Sequence, residues 1–84
     1  MTGKDAMARW AADETLAGKP WTVRGHEVWP VHVVNAVVAA VAGAKCGTTT
    51  PFPFEVADAA ESRARQFARR KGWVRYSGGR WVWA

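Results

Sequence analysis

Apolar and polar residues alternate along the chain in a way that marks successive segments. Met7, Trp10, Ala11, Glu14 and Ala17 fall at three- and four-residue spacing with charges between them. This predicts an amphipathic helix over about 4–17. Thr2 is placed to cap it, and Gly18 with Pro20 to end it. Trp21 to Trp29 is short and β-prone, either one strand or a small hairpin turning at Arg24–Gly25. Pro30 suits the first turn of a second helix, over about 31–44. There Val33, Val34, Val37, Val38 and Val41 share one side, and His32, Asn35, Ala39 and Ala42 the other. With so few charges, that helix is expected at the centre of the core.

Pro51 and Pro53 forbid helix through the loop that follows, and Phe52 and Phe54 are expected to pin the loop to the core. A third helix is predicted over about 55–71. Its expected buried stripe is Val56, Ala60, Ala64 and Phe67, with Ala57 and Ala68 beside them. Ser62, Arg65, Gln66 and Arg69 take the opposite side, and Arg63 and Arg70 the flanks. Glu55 and Asp58 at its start, with Arg69, Arg70 and Lys71 at its end, suit the helix dipole. Gly72 stops it. Residues 73–83 then read as a hairpin turning at Gly78–Gly79. That register pairs Tyr76 with Trp81 and Val74 with Trp83 on a face expected to be buried, and sends Arg75, Ser77, Arg80 and Val82 to the other.

The fold class is therefore α+β, a small tri-helical domain with a C-terminal β-hairpin, as one domain over residues 1–84. Composition changes one part of this picture. The chain has no Ile and a single Leu, Leu16, against sixteen Ala and eleven Val. Ala buries little area, so the six Trp and three Phe are expected to supply most of the core volume.

Charge changes another. Residues 1–54 hold five basic and four acidic residues, whereas residues 55–84 hold seven basic and three acidic ones. From Ser62 onward there is no acid. Such asymmetry points to a polyanionic partner, nucleic acid before membrane surface. A helix exposing Ser62, Arg65, Gln66 and Arg69 has side chains that read base edges, since Arg suits guanine and Gln adenine. Arg75 and Arg80 on the hairpin are candidates for phosphate or the minor groove. The plainer reading of the same charges is a solubilising surface.

The stretch "ESRARQFARRKGWVRYSGGRWVW", residues 61–83, together with the element order, resembles the winged helix-turn-helix family. The resemblance implies a last helix that recognises double-stranded DNA and a hairpin that serves as the wing. The nucleic-acid-binding residues would then be Ser62, Arg63, Arg65, Gln66, Arg69, Arg70, Arg75 and Arg80. It implies a small regulator or a phage-type accessory factor. The family joins its two helices by a short turn, whereas residues 45–53 intervene here.

Other chemistries find little support. The spacing of His26, His32 and Cys46 fits no paired zinc motif, and no metal or cofactor is expected. His32 is read as a surface or capping histidine and Cys46 as a small buried apolar residue. No Ser–His–Asp or Cys–His arrangement and no phosphate-binding loop occurs, so no enzyme is expected. Asp58 and Glu61 are placed to make helix-spaced pairs with basic neighbours such as Arg65. Trp73 is expected to seal the junction of the third helix and the hairpin. The N-terminus lacks an apolar signal segment and Cys46 is alone, from which a cytoplasmic location is expected. Val31 to Ala44 is too short and too interrupted to span a bilayer. The alternative to DNA is a protein-interaction module using a Trp and Arg surface. Dimerisation through the valine helix or the N-terminal helix is left open.

Overall fold

The Thr2 hydroxyl accepts a hydrogen bond from the Asp5 amide at 3.1 Å, so the chain enters helix α1, Gly3–Ala17, at the anticipated cap. The computed structural model describes residues 1–44 and 51–84. After α1 come β1, Trp21–Val23, and β2, His26–Val28. They pair antiparallel with Trp21 opposite Val28. The second segment is thus a hairpin, and Arg24–Gly25 is its turn. Helix α2, Pro30–Val41, carries Pro30 in its first turn and stops three residues before the expected end. Helix α3 spans Phe54–Arg70. Strands β3, Val74–Ser77, and β4, Arg80–Trp83, form the second hairpin.

The register of β3 and β4 is the expected one: Val74 opposite Trp83, Arg75 opposite Val82, Tyr76 opposite Trp81, Ser77 opposite Arg80. The two hairpins are separate two-stranded sheets and do not join. Among the helices, α2 packs most extensively, against both α3 and α1, and so occupies the central position its lack of charge implies.

Aliphatic side chains, mostly Val and Ala, rather than aromatic rings, make the fully buried core. It consists of Met7, Val23, Val28, Val33, Ala36, Val37, Val56, Ala60, Ala64, Ala68 and Val74. All six Trp are half-buried around it. The expectation that rings fill the centre is corrected, and the reason lies in α2 and α3. Ala36 of α2 and Ala60, Ala64 and Ala68 of α3 present no bulk, so the helices close on methyl groups and leave no space for an indole between them. Rings collect at the rim instead. Trp10, Trp21, Phe67 and Trp73 form one such cluster, with Trp10 and Phe67 centroids 4.9 Å apart and Trp21 edge-on to Phe67 at 5.3 Å. Trp10 also meets Trp73 at 5.8 Å. The cluster joins α1, β1, α3 and the start of the second hairpin.

Three further expectations change. Val38 lies at the exposed edge of α2, and Ala36 takes the buried position. Phe54 is 76% exposed and pins nothing, whereas Phe52 is half-buried, its ring 5.0 Å from that of His32 and 6.3 Å from that of His26. Tyr76 is 55% exposed, so the inner face of the second hairpin is buried only toward Val74. Cys46 lies outside the described residues.

Gly72 sets the direction of the second hairpin. Its φ of 78° is left-handed, a conformation open to glycine at little cost. It lets the Trp73 amide reach back to the Ala68 carbonyl at 3.0 Å, a helix-ending motif that frees the chain to turn. The Ala84 amide then donates to the Trp73 carbonyl at 2.9 Å. The chain end is thereby tied to the junction that Trp73 occupies between Trp10 and Phe67.

Candidate nucleic-acid interface

The exposed side of α3 is divided along its length. Glu55 and Asp58 occupy its first half. Ser62, Gln66 and Arg69, at four- and three-residue steps on the same side, occupy the second, and all five are exposed. Arg70 and Lys71 follow at the helix end, also exposed. Basic side chains there meet the negative end of the helix dipole. The motif at Gly72 carries the chain into β3, whose alternation turns Arg75 and Ser77 to the face opposite Val74. Across the turn, Arg80 joins them opposite Ser77. Arg75, Ser77 and Arg80 are all exposed.

Two arginines are engaged inside the protein. Arg65 is half-buried and its guanidinium pairs with the Glu61 carboxylate one helical turn earlier. Its charge is largely matched at the surface where a polyanion would meet it. Arg63 lies toward β1: its guanidinium carbon is 4.4 Å from the centroid of Trp21. Its Nη1 donates to the Thr22 carbonyl at 3.4 Å. That contact holds the guanidinium over the ring and away from the Ser62–Gln66–Arg69 side. Among the described residues, Arg65 with Glu61 is the one ion pair. Among the described residues, Arg69, Arg70, Lys71, Arg75 and Arg80 have no carboxylate within salt-bridge distance.

Lys71 belongs with this group: it counts among the seven late cations but is not one of the named candidate site residues. Its ammonium lies 5.7 Å from the Phe67 centroid, between Arg70 in sequence and the hairpin that bears Arg75. Its signal was present in the chain as the third of three consecutive cations. Tyr76 is a second addition. Placed on the inner face by alternation, it is nevertheless exposed, edge-on to Trp81 at 5.3 Å, because it lies beyond the helices near the hairpin tip.

Among the described residues no three His, Cys, Asp or Glu side chains come together as metal ligands. His26 and His32 flank Phe52 instead. No helix of the described residues is long and apolar enough to cross a membrane. No family model matches the chain, and neither does any curated protein or solved structure.

Proposed function

We propose that the protein binds double-stranded DNA through the second half of α3 and the outer face of the β3–β4 hairpin, in the manner of a winged-helix domain. One observation carries this reading. Arg69, Arg70, Lys71, Arg75 and Arg80 are all exposed and all free of carboxylate partners, within twelve residues that hold no acid. Five unpaired cations on a short segment are an electrostatic footprint for phosphates. Gln66 and Ser62, on the same side of α3 as Arg69, supply the neutral donors and acceptors that touch base edges. Arg65 and Arg63 contribute less, one being paired with Glu61 and the other stacked on Trp21.

Duplex binding measured across a salt series tests the reading. With about five phosphates neutralised, log affinity against log salt has a slope of about −4 to −5. Arg69→Ala with Arg70→Ala weakens binding more than Lys4→Ala with Arg9→Ala. Affinity that is indifferent to salt, or equal losses from the two pairs, refutes it.

Protein binding is the second reading. With all six Trp half-buried, the exposed apolar side chains that would favour it are Leu16 on α1, Val31 on α2, Phe54 at the start of α3 and Tyr76 on β3.

A further inference from the structure

Helix α2 has no charged residue along its twelve positions. Val33, Ala36 and Val37 are buried, while Val31, Asn35 and Val38 face outward. On the neighbouring α1, Ala8, Ala12 and Leu16 follow at four-residue spacing and are all exposed, Leu16 by 88%. Between the helices runs an open groove of about 540 Å³ walled by Ala8, Ala11, Ala12 and Leu16 from α1 and by Val31 and Val34 from α2. The Thr15 hydroxyl beside it donates to the Ala11 carbonyl at 2.7 Å, so it presents no free donor to an incoming molecule. The single leucine of the chain stands out into water on this face.

We infer that this face is the contact between two copies of the chain. A two-fold interface must be complementary to itself, with a projection and a recess on the same patch. Leu16 is the projection and the alanine-walled groove is the recess. With the two-fold axis at Ala12 and the α1 helices antiparallel, Leu16 of one copy lies against Ala8 of the partner subunit. Each alanine allows the helices the close approach that a larger side chain would block.

Charge selects the same face. The second half of α3 and its hairpin are strongly basic and repel their own kind. Helix α1 has Lys4 and Arg9 against Asp5, Asp13 and Glu14, and α2 is neutral, so the pair of helices carries a net −1 while the whole chain carries +5. Two copies approach with least repulsion here. A polyanion finds no cation in the groove. The size of the face allows a modest contact with a second copy. Fifteen and twelve residues make helices about 22 and 18 Å long, which side by side give a face on the order of 400 Å² in projection. That is about half the ~800 Å² per partner of a standard interface, the size of a weak, concentration-dependent contact.

The inference stands apart from the DNA reading, and its test separates them. Sedimentation equilibrium of the 84-residue chain, from about 1 μM to about 1 mM, should show the mass rising from 9.2 kDa toward twice that value. Leu16→Glu, and separately Val31→Lys, should weaken association at least about tenfold. Both sites are exposed, so the circular dichroism spectrum at low concentration should not change, and the adverse charge each places at a helix end should lower the unfolding midpoint only slightly. Arg69→Ala with Arg70→Ala should leave association unchanged. A monomer mass at every concentration overturns the inference, whether another molecule covers the face or none does. A dimer indifferent to both face substitutions overturns it too, by assigning the contact elsewhere. Neither failure touches salt-dependent duplex binding.

Discussion

Gly3 and Trp73 meet backbone to backbone: a Cβ placed on Gly3 would stand 1.9 Å from the Trp73 carbonyl oxygen. Beside that contact, the Gly3 amide donates to the Ala84 carbonyl at 3.0 Å, and the Ala84 amide to the same Trp73 carbonyl. The first turn of α1, the α3–hairpin junction and the C-terminus therefore close on one point. The oxygen that a side chain would strike is held by a hydrogen bond and cannot swing aside as a flexible side chain would.

Gly3→Ala is expected to cost about 1–3 kcal/mol of stability, the usual range for overpacking. Urea unfolding followed by Trp fluorescence measures it, and Trp73 should report the disturbance because it lies against Trp10 and Phe67. Alanine is the better helix former, so an unchanged or raised midpoint would mean that the two backbones do not touch.

The α2–α3 contact should be intolerant in both directions. Val37 is 1% exposed and Ala64 has no exposure at all. Truncation of Val37 to Ala leaves a void and is expected to cost about 1–3 kcal/mol, since burying a valine side chain is worth about that much or slightly less and the cavity adds to it. Ala64→Leu forces the helices apart and should cost a similar amount. Chemical denaturation of the two variants decides the point. A stabilising Ala64→Leu would show unfilled space where the structure has contact.

These expectations also mark what could be read from the chain beforehand. The three helices and the C-terminal hairpin were legible because each rests on local chemistry: Thr2 before α1, Pro30 opening α2, Gly72 ending α3, Gly78–Gly79 turning β3 into β4. The Glu61–Arg65 pair was legible from its four-residue spacing. Depth was not. Periodicity tells which side of a helix faces inward, but the distance between helices depends on both partners. It was the joint smallness of Ala36, Ala60 and Ala64 that sent the rings to the rim. The stacking of Arg63 on Trp21 joins residues more than forty positions apart. No local pattern announces such a contact, and it removed one arginine from the expected DNA surface.

Glu61→Gln tests how far internal pairing mutes that surface. With the carboxylate gone, Arg65 becomes available to phosphate. Duplex affinity should rise, and the log–log salt slope should steepen by about 0.9. The loss of one intrahelical pair should cost only about 0.3–0.5 kcal/mol of folding stability. Titrations of the wild type and the variant at several salt concentrations read the slope. An identical slope would mean that Arg65 makes no phosphate contact once released, leaving the five unpaired cations as the whole interface.

The first hairpin offers a prediction of opposite sign. Arg24 has a φ of 47° and Gly25 one of 80°, the pair of left-handed residues that a two-residue primed turn requires. Glycine takes this conformation readily; a long L side chain does so only with strain. Asparagine tolerates it better than arginine, and Asn-Gly is the preferred sequence for this turn. Arg24→Asn should therefore stabilise the protein by about 0.5–1 kcal/mol, within the gain typical of relieving a turn position. The Arg24 side chain is exposed and belongs to β1–β2, so its removal should leave the α3–hairpin surface intact. Thermal unfolding reads the gain. A lower midpoint would show that Arg24 makes a favourable contact outweighing its backbone strain, and a loss of duplex affinity beyond that of Lys4→Ala would extend the DNA surface across α3 to the first hairpin.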